Sequence, residues 1–77
     1  MITGEQVRAA RKLLGWSQMA LALEAHVEQS TVTNFETGKS RPSVLIVSTI
    51  KRILEAAGVE FTDGGRPEVK MRMQSGE

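Results

Sequence analysis

The chain contains no cysteine, which excludes a disulfide framework and a thiolate metal site, and nothing in it points to an oxidising compartment. His26 is the single histidine, so with no cysteine and no second histidine it is read as neither a metal ligand nor a pH switch. No apolar run approaches the roughly 20 residues that a membrane span needs. The opening stretch MITGEQVRAARK lacks the basic-then-apolar order of a signal peptide, so a cytoplasmic protein is expected. Charge of one sign is scarce as well: Lys and Arg number 10 against 9 Asp and Glu, for a net charge of +1. The isoelectric point of about 8.2 falls short of the value above roughly 9 that marks a strong nucleic-acid footprint. There is no nucleophile–base pair, metal cluster or glycine-rich phosphate loop, and an enzyme is not expected.

What is present is enough for one small core, since 77 residues at 40% hydrophobic content can close one but not two. Without staples, stability must come from helix packing, helped by a partner subunit if there is one. The basic surplus is uneven. Residues 1–58 hold seven Lys/Arg against five Asp/Glu (+2), whereas residues 59–77 hold three against four (−1).

Thr3 followed by Gln6 is a capping-box pattern, and Val7, Ala10, Leu13 and Leu14 then recur at helical spacing until Gly15, predicting a first helix over 4–14. Ser17 is a second N-cap, opening a helix over 18–25 with Leu21, Ala22 and Ala25 on its inward stripe. Val27 anchors a turn. A third helix runs over 29–36 with Val32 and Phe35 inward, and Thr37-Gly38 stops it. Lys39-Ser40-Arg41-Pro42 is a basic loop. Ser43 caps a fourth helix whose Leu45, Ile46, Thr49, Ile50, Ile53 and Leu54 keep core spacing, and Gly58 closes it. Two short helices joined by a turn over 17–42, the second with small uncharged polar side chains on its free face, have the build of a reading head for the DNA major groove.

After Gly58 the period changes from helical to alternating. Val59 and Phe61 share one face, Asp63-Gly64-Gly65 signals a turn, and Val69, Met71 and Met73 share another face, which predicts a β-hairpin. A lone two-stranded hairpin is marginal in water, so its apolar side must lie on the helices or against a second copy of the chain. The organisation expected is a DNA-binding domain over 1–58, a hairpin and dimerisation element over 59–73, and a frayed tail over 74–77.

Gly15-Trp16-Ser17-Gln18, Leu21-Ala22, Val27, Thr31-Val32, Phe35-Glu36, Gly38-Lys39 and Arg41-Pro42-Ser43 together resemble the phage-repressor-like, or XRE-type, helix-turn-helix family. The likeness covers roughly residues 4–58, and the hairpin after GVEF is similar to that of small bacterial regulators in the same family. The resemblance implies a mainly α fold, a four- to five-helix repressor-like domain with a C-terminal β-hairpin. It also implies a homodimer on palindromic double-stranded DNA, with no cofactor.

By the same resemblance Gln18 hydrogen-bonds a backbone phosphate and braces Gln29, the first residue of the recognition helix; a helix N-terminus favours such an anion. Gln29, Ser30, Thr33 and Asn34 fall on the solvent side of the third helix, opposite Val32 and Phe35, and are the base-edge candidates. With no arginine in that helix, A·T-containing steps are its expected targets. Lys39 and Arg41 are placed to meet the sugar-phosphate backbone, with Arg8, Lys12 and the Thr31 hydroxyl as further phosphate candidates. Arg11 and Glu36 match the family's ion pair between the first and third helices and are assigned to structure.

The chain departs from the family at three places. His26 occupies a turn position where glycine is usual, so it either sits strained or the turn is rebuilt. Glu28 stands where Ser or Thr usually caps the third helix; its charge suits the dipole and repels phosphate. Met19 and Leu23 are apolar where polar residues are common, which reads either as ordinary partly buried surface or as a spot for a protein partner.

Trp16 is expected to plug the corner between the first two helices. Val59, Phe61, Val69 and Met71, with Met73, form either intramolecular core or the expected dimer seam, since an exposed strand edge invites two-fold pairing. The function expected is regulation by occupancy of an operator, with polymerase as a further protein contact. The alternative is the DNA-binding antitoxin of a toxin–antitoxin pair, which would hold its toxin through the Met19/Leu23 spot or the hairpin.

Overall fold

A computed structural model describes residues 2–61 and 69–71. Among these residues four helices, α1 (Gly4–Leu14), α2 (Gln18–Ala25), α3 (Gln29–Thr37) and α4 (Val44–Ala56), lead into two strands, β1 (Val59–Phe61) and β2 (Val69–Met71). The Asp63-Gly64-Gly65 turn, Met73 and the tail over 74–77 lie outside the described residues.

The helix starts follow from side-chain chemistry. The Thr3 amide donates to Gln6 Oε1 at 2.9 Å while the Gln6 amide donates to Thr3 Oγ1 at 3.2 Å, closing a capping box over α1. Ser17 Oγ accepts from the Ala20 amide at 3.0 Å and Ser43 Oγ from the Ile46 amide at 3.3 Å. Each such cap satisfies an orphan donor and contributes about 1 kcal/mol. Gly15 and Gly38 end α1 and α3 in the left-handed region, at φ of 72° and 79°. The third helix runs one residue past its expected end: the Gly38 amide donates to the Asn34 carbonyl, which keeps Thr37 within the last turn.

Among the described residues, twelve apolar side chains form the core: Ile2, Val7 and Ala10; Leu21, Ala22 and Ala25; Val32 and Phe35; Val47, Ile50 and Leu54; and Val59. Trp16 packs against this cluster, partly buried, as a corner plug should. Two expected core positions are surface instead. Leu13 is exposed, because Val7, Ala10 and Leu14 (i, i+3, i+7) already define the inward line of α1 and Leu13 falls beside it. Leu45 is exposed too, and its place in α4 is taken by Val47, which shares the stripe of Ile50 and Leu54 (i, i+3, i+7).

The strands pair antiparallel with Val59 opposite Met71, Glu60 opposite Lys70 and Phe61 opposite Val69. Residues directly opposite one another share a face. All four apolar strand residues therefore lie on one side of the ribbon, toward α1 and α4, with Val59 buried and Phe61 and Val69 packed against the core. Glu60 and Lys70 occupy the other side, 3.8 Å apart and largely exposed. Val59 is closed to any partner subunit, which narrows the expected dimer seam to Phe61, Val69 and Met71, of which Met71 is exposed.

Candidate nucleic-acid interface

The inner side of α3 is fixed by Val32 and Phe35, both buried, and Glu36 is buried at its edge. The opposite side carries Gln29 and Ser30, both exposed, and Thr33 and Asn34, both half-buried. The turn before α3 keeps its helix-turn-helix geometry without glycine: His26 adopts φ 58° and ψ 43° and caps α2 in the left-handed region. Glu28 stands at the N-cap of α3 in extended conformation, and its side chain makes no capping bond. The first amides of α3 are thus left without a side-chain cap, on a helix with no acidic residue in its first turn.

A chain of polar contacts ties α3 to α1 and α2. Arg11 Nε donates to Glu36 Oε2 at 2.8 Å and a terminal nitrogen of the same guanidinium donates to Glu36 Oε1 at 2.9 Å, a two-point fork. The remaining terminal nitrogen donates to the Trp16 carbonyl at 2.8 Å, so one arginine holds both the helix and the corner after α1. The Glu36 side chain is only 2% exposed, and breaking its pairing would strand a charge in the interior. The hydrogen bond to Glu36, helped by that charge and opposed by burial, raises the Arg11 pKa above the ordinary arginine value. A raised folded-state pKa means that this contribution is complete below the unfolded value and is lost only as pH climbs through the raised one. The arginine end of the pair therefore stays charged across the physiological range.

Gln18 occupies the first position of α2 and continues the chain. Its Nε2 donates to Glu36 Oε1 at 3.1 Å, and its Oε1 accepts from the Thr33 hydroxyl at 2.7 Å. The glutamine braces α3 through Thr33 and Glu36 rather than through Gln29. The reason is positional: Gln29, Thr33 and Glu36 follow one helical line (i, i+4, i+7), and both ends of the Gln18 amide are taken further along it. No periodicity signal marks a hydrogen bond between two polar side chains on different helices, and sequence reasoning missed Thr33 as its partner.

The cationic candidates fall into two kinds. Arg8, Lys12 and Lys39 are exposed, and the Lys39 amide donates to the Asn34 carbonyl at 2.9 Å, which folds the basic loop back over the end of α3. Arg41 is exposed too, but it is tethered within the chain: its guanidinium lies 5.6 Å from the centroid of the Phe35 ring and donates to the Ile2 carbonyl at 3.1 Å. Thr31 is half-buried in the first turn of α3.

No helix among the described residues is long and apolar enough to cross a membrane. Comparison with curated proteins finds no match. A family model described as helix-turn-helix matches residues 7–63, a span that runs from within α1 through α2, α3 and α4 to β1. With that span, this order of helices and a third helix pinned from within, the chain belongs to the XRE-type helix-turn-helix family of DNA-binding transcriptional regulators.

Proposed function

We propose that this regulator binds a palindromic operator as a homodimer, with α3 in the major groove and half-sites roughly one helical turn apart. One observation carries the reading: Val32 and Phe35 lock one side of α3 into the fold while Gln29, Ser30, Thr33 and Asn34 are left on the other. A row of amide and hydroxyl tips suits base edges, where Gln and Asn pair with adenine and the smaller side chains meet amino groups or the thymine methyl. Lys39, Arg8 and Gln18 contact phosphates, Gln18 through the amide hydrogen that Glu36 does not use. Thr31 adds a hydroxyl, and Arg41 adds charge from a fixed position over Phe35. The protein works in the cytoplasm and controls transcription by occupying its site.

Selection of bound duplexes from a random pool at fixed salt tests this directly. An enriched palindrome with half-sites about one turn apart is the expected result. Enrichment of single half-sites without symmetry would remove the dimer, and no enrichment would remove the sequence-specific reader.

Met19 and Leu23 support a second reading, the antitoxin, because they stand 56% and 70% exposed one helical turn apart on α2. Purification from the native host separates the two readings. A stoichiometric partner released by Leu23→Glu favours the antitoxin, and a chain that purifies alone favours the simple regulator.

A further inference from the structure

Thr33 differs from the other three outward residues of α3 in that its hydroxyl already has a partner within the chain. Which atom donates in that contact is fixed from the far end. Glu36, forked by Arg11, presents only acceptor oxygens, so the Gln18 amide must turn its nitrogen toward Glu36. The reverse orientation would set the amide oxygen against a carboxylate. With the nitrogen committed, the oxygen faces Thr33, and an oxygen can only accept. The one hydroxyl proton of Thr33 is therefore directed at Gln18.

We infer that Thr33 meets the DNA as an acceptor and a methyl group but never as a donor, its polarity set by the line from Arg11 through Glu36 and Gln18. The inference rests on the reading that α3 lies in the major groove. A threonine free to rotate can serve a donor or an acceptor edge and discriminates little. Fixed as an acceptor, Thr33 suits the amino groups of adenine N6 and cytosine N4, and its methyl suits the thymine methyl. It opposes guanine, whose O6 and N7 are both acceptors. Gln18 is then a positioning residue for base choice as well as a phosphate contact. The polar network acts on specificity, beyond holding the helices together.

The test compares duplexes selected from a random pool by the whole wild-type chain, Gln18→Met, Thr33→Ser and Thr33→Val at one salt concentration. Wild type should exclude guanine at one position of each half-site. Thr33→Ser, which keeps the hydroxyl and loses the methyl, should keep that exclusion. Gln18→Met frees the hydroxyl to donate, and guanine should rise there roughly tenfold relative to wild type, within the range of a single base-edge contact. Thr33→Val should lose the preference for amino groups and keep thymine.

A wild type that enriches no sequence overturns the major-groove reading and this inference with it. A wild type that enriches an operator whose profile Gln18→Met leaves unchanged overturns this inference alone. Nuclear magnetic resonance of the free protein gives a check that needs no DNA. A slowly exchanging Thr33 hydroxyl proton, lost in Gln18→Met, is expected, and a Thr33 hydroxyl exchanging as fast as a solvated threonine contradicts the inference.

Discussion

The backbone of Gly4 rests on the backbone of Phe35, so closely that a Cβ added to Gly4 would stand 1.9 Å from the Phe35 carbonyl oxygen. The first turn of α1 thereby sets the height of the last turn of α3. Gly4→Ala should force the two helices apart and destabilise the fold by about 1–3 kcal/mol, the usual range for overpacking a tight contact. Thermal melting at fixed protein concentration checks this, and a variant that melts with the wild type would show that the contact is loose.

Arg11→Ala should cost on the order of 3 kcal/mol, because it leaves the Glu36 carboxylate buried with Gln18 as its remaining side-chain donor. For a domain of this size that is a fall in melting temperature of more than roughly 10 °C. The paired change Arg11→Met with Glu36→Leu should cost less than Arg11→Ala alone, since no buried charge is then stranded. A single variant as stable as wild type would mean that the ion pair contributes nothing.

His26 holds a left-handed conformation at φ 58° that a Cβ disfavours by roughly 1–2 kcal/mol. Glycine removes that strain and gives part of the gain back through a freer unfolded chain. His26→Gly should therefore stabilise the protein by about 1 kcal/mol, read as a higher melting temperature with operator preference unchanged. A lower melting temperature would show that the imidazole makes a contact worth more than the strain.

Much of this fold is legible in the chain because its boundaries are written by local chemistry. Thr3 with Gln6, Ser17 and Ser43 mark helix starts, and Gly15 and Gly38 mark stops, each through a hydrogen bond or a backbone angle that needs no distant partner. Burial was less legible. The run Val44-Leu45-Ile46-Val47 is apolar throughout, so spacing alone fits more than one stripe, and packing selects Val47 over Leu45. Buried Ile2 precedes the first helix, where no period exists to reveal it.

At the candidate site, the outward row on α3 follows from Val32 and Phe35 as inward markers, whereas the partner of Gln18 depends on how two helices cross. The strand register puts Val59, Phe61, Val69 and Met71 on one face, and alternation along each strand could not reveal which strand faces meet.

The central claim is that α3 reads bases while the loop after it grips the backbone, and one paired titration tests it most directly. Binding of Gln29→Ala and Lys39→Ala to the selected operator and to duplexes changed at single positions is measured across a series of salt concentrations. Gln29→Ala should relax preference at one or two positions by about 1–3 kcal/mol and leave the salt slope unchanged. Lys39→Ala should weaken every duplex alike and make the slope shallower by roughly 0.9, the value for one lost phosphate contact. Equal effects of the two variants on base preference, or a salt slope that neither one changes, would contradict the account.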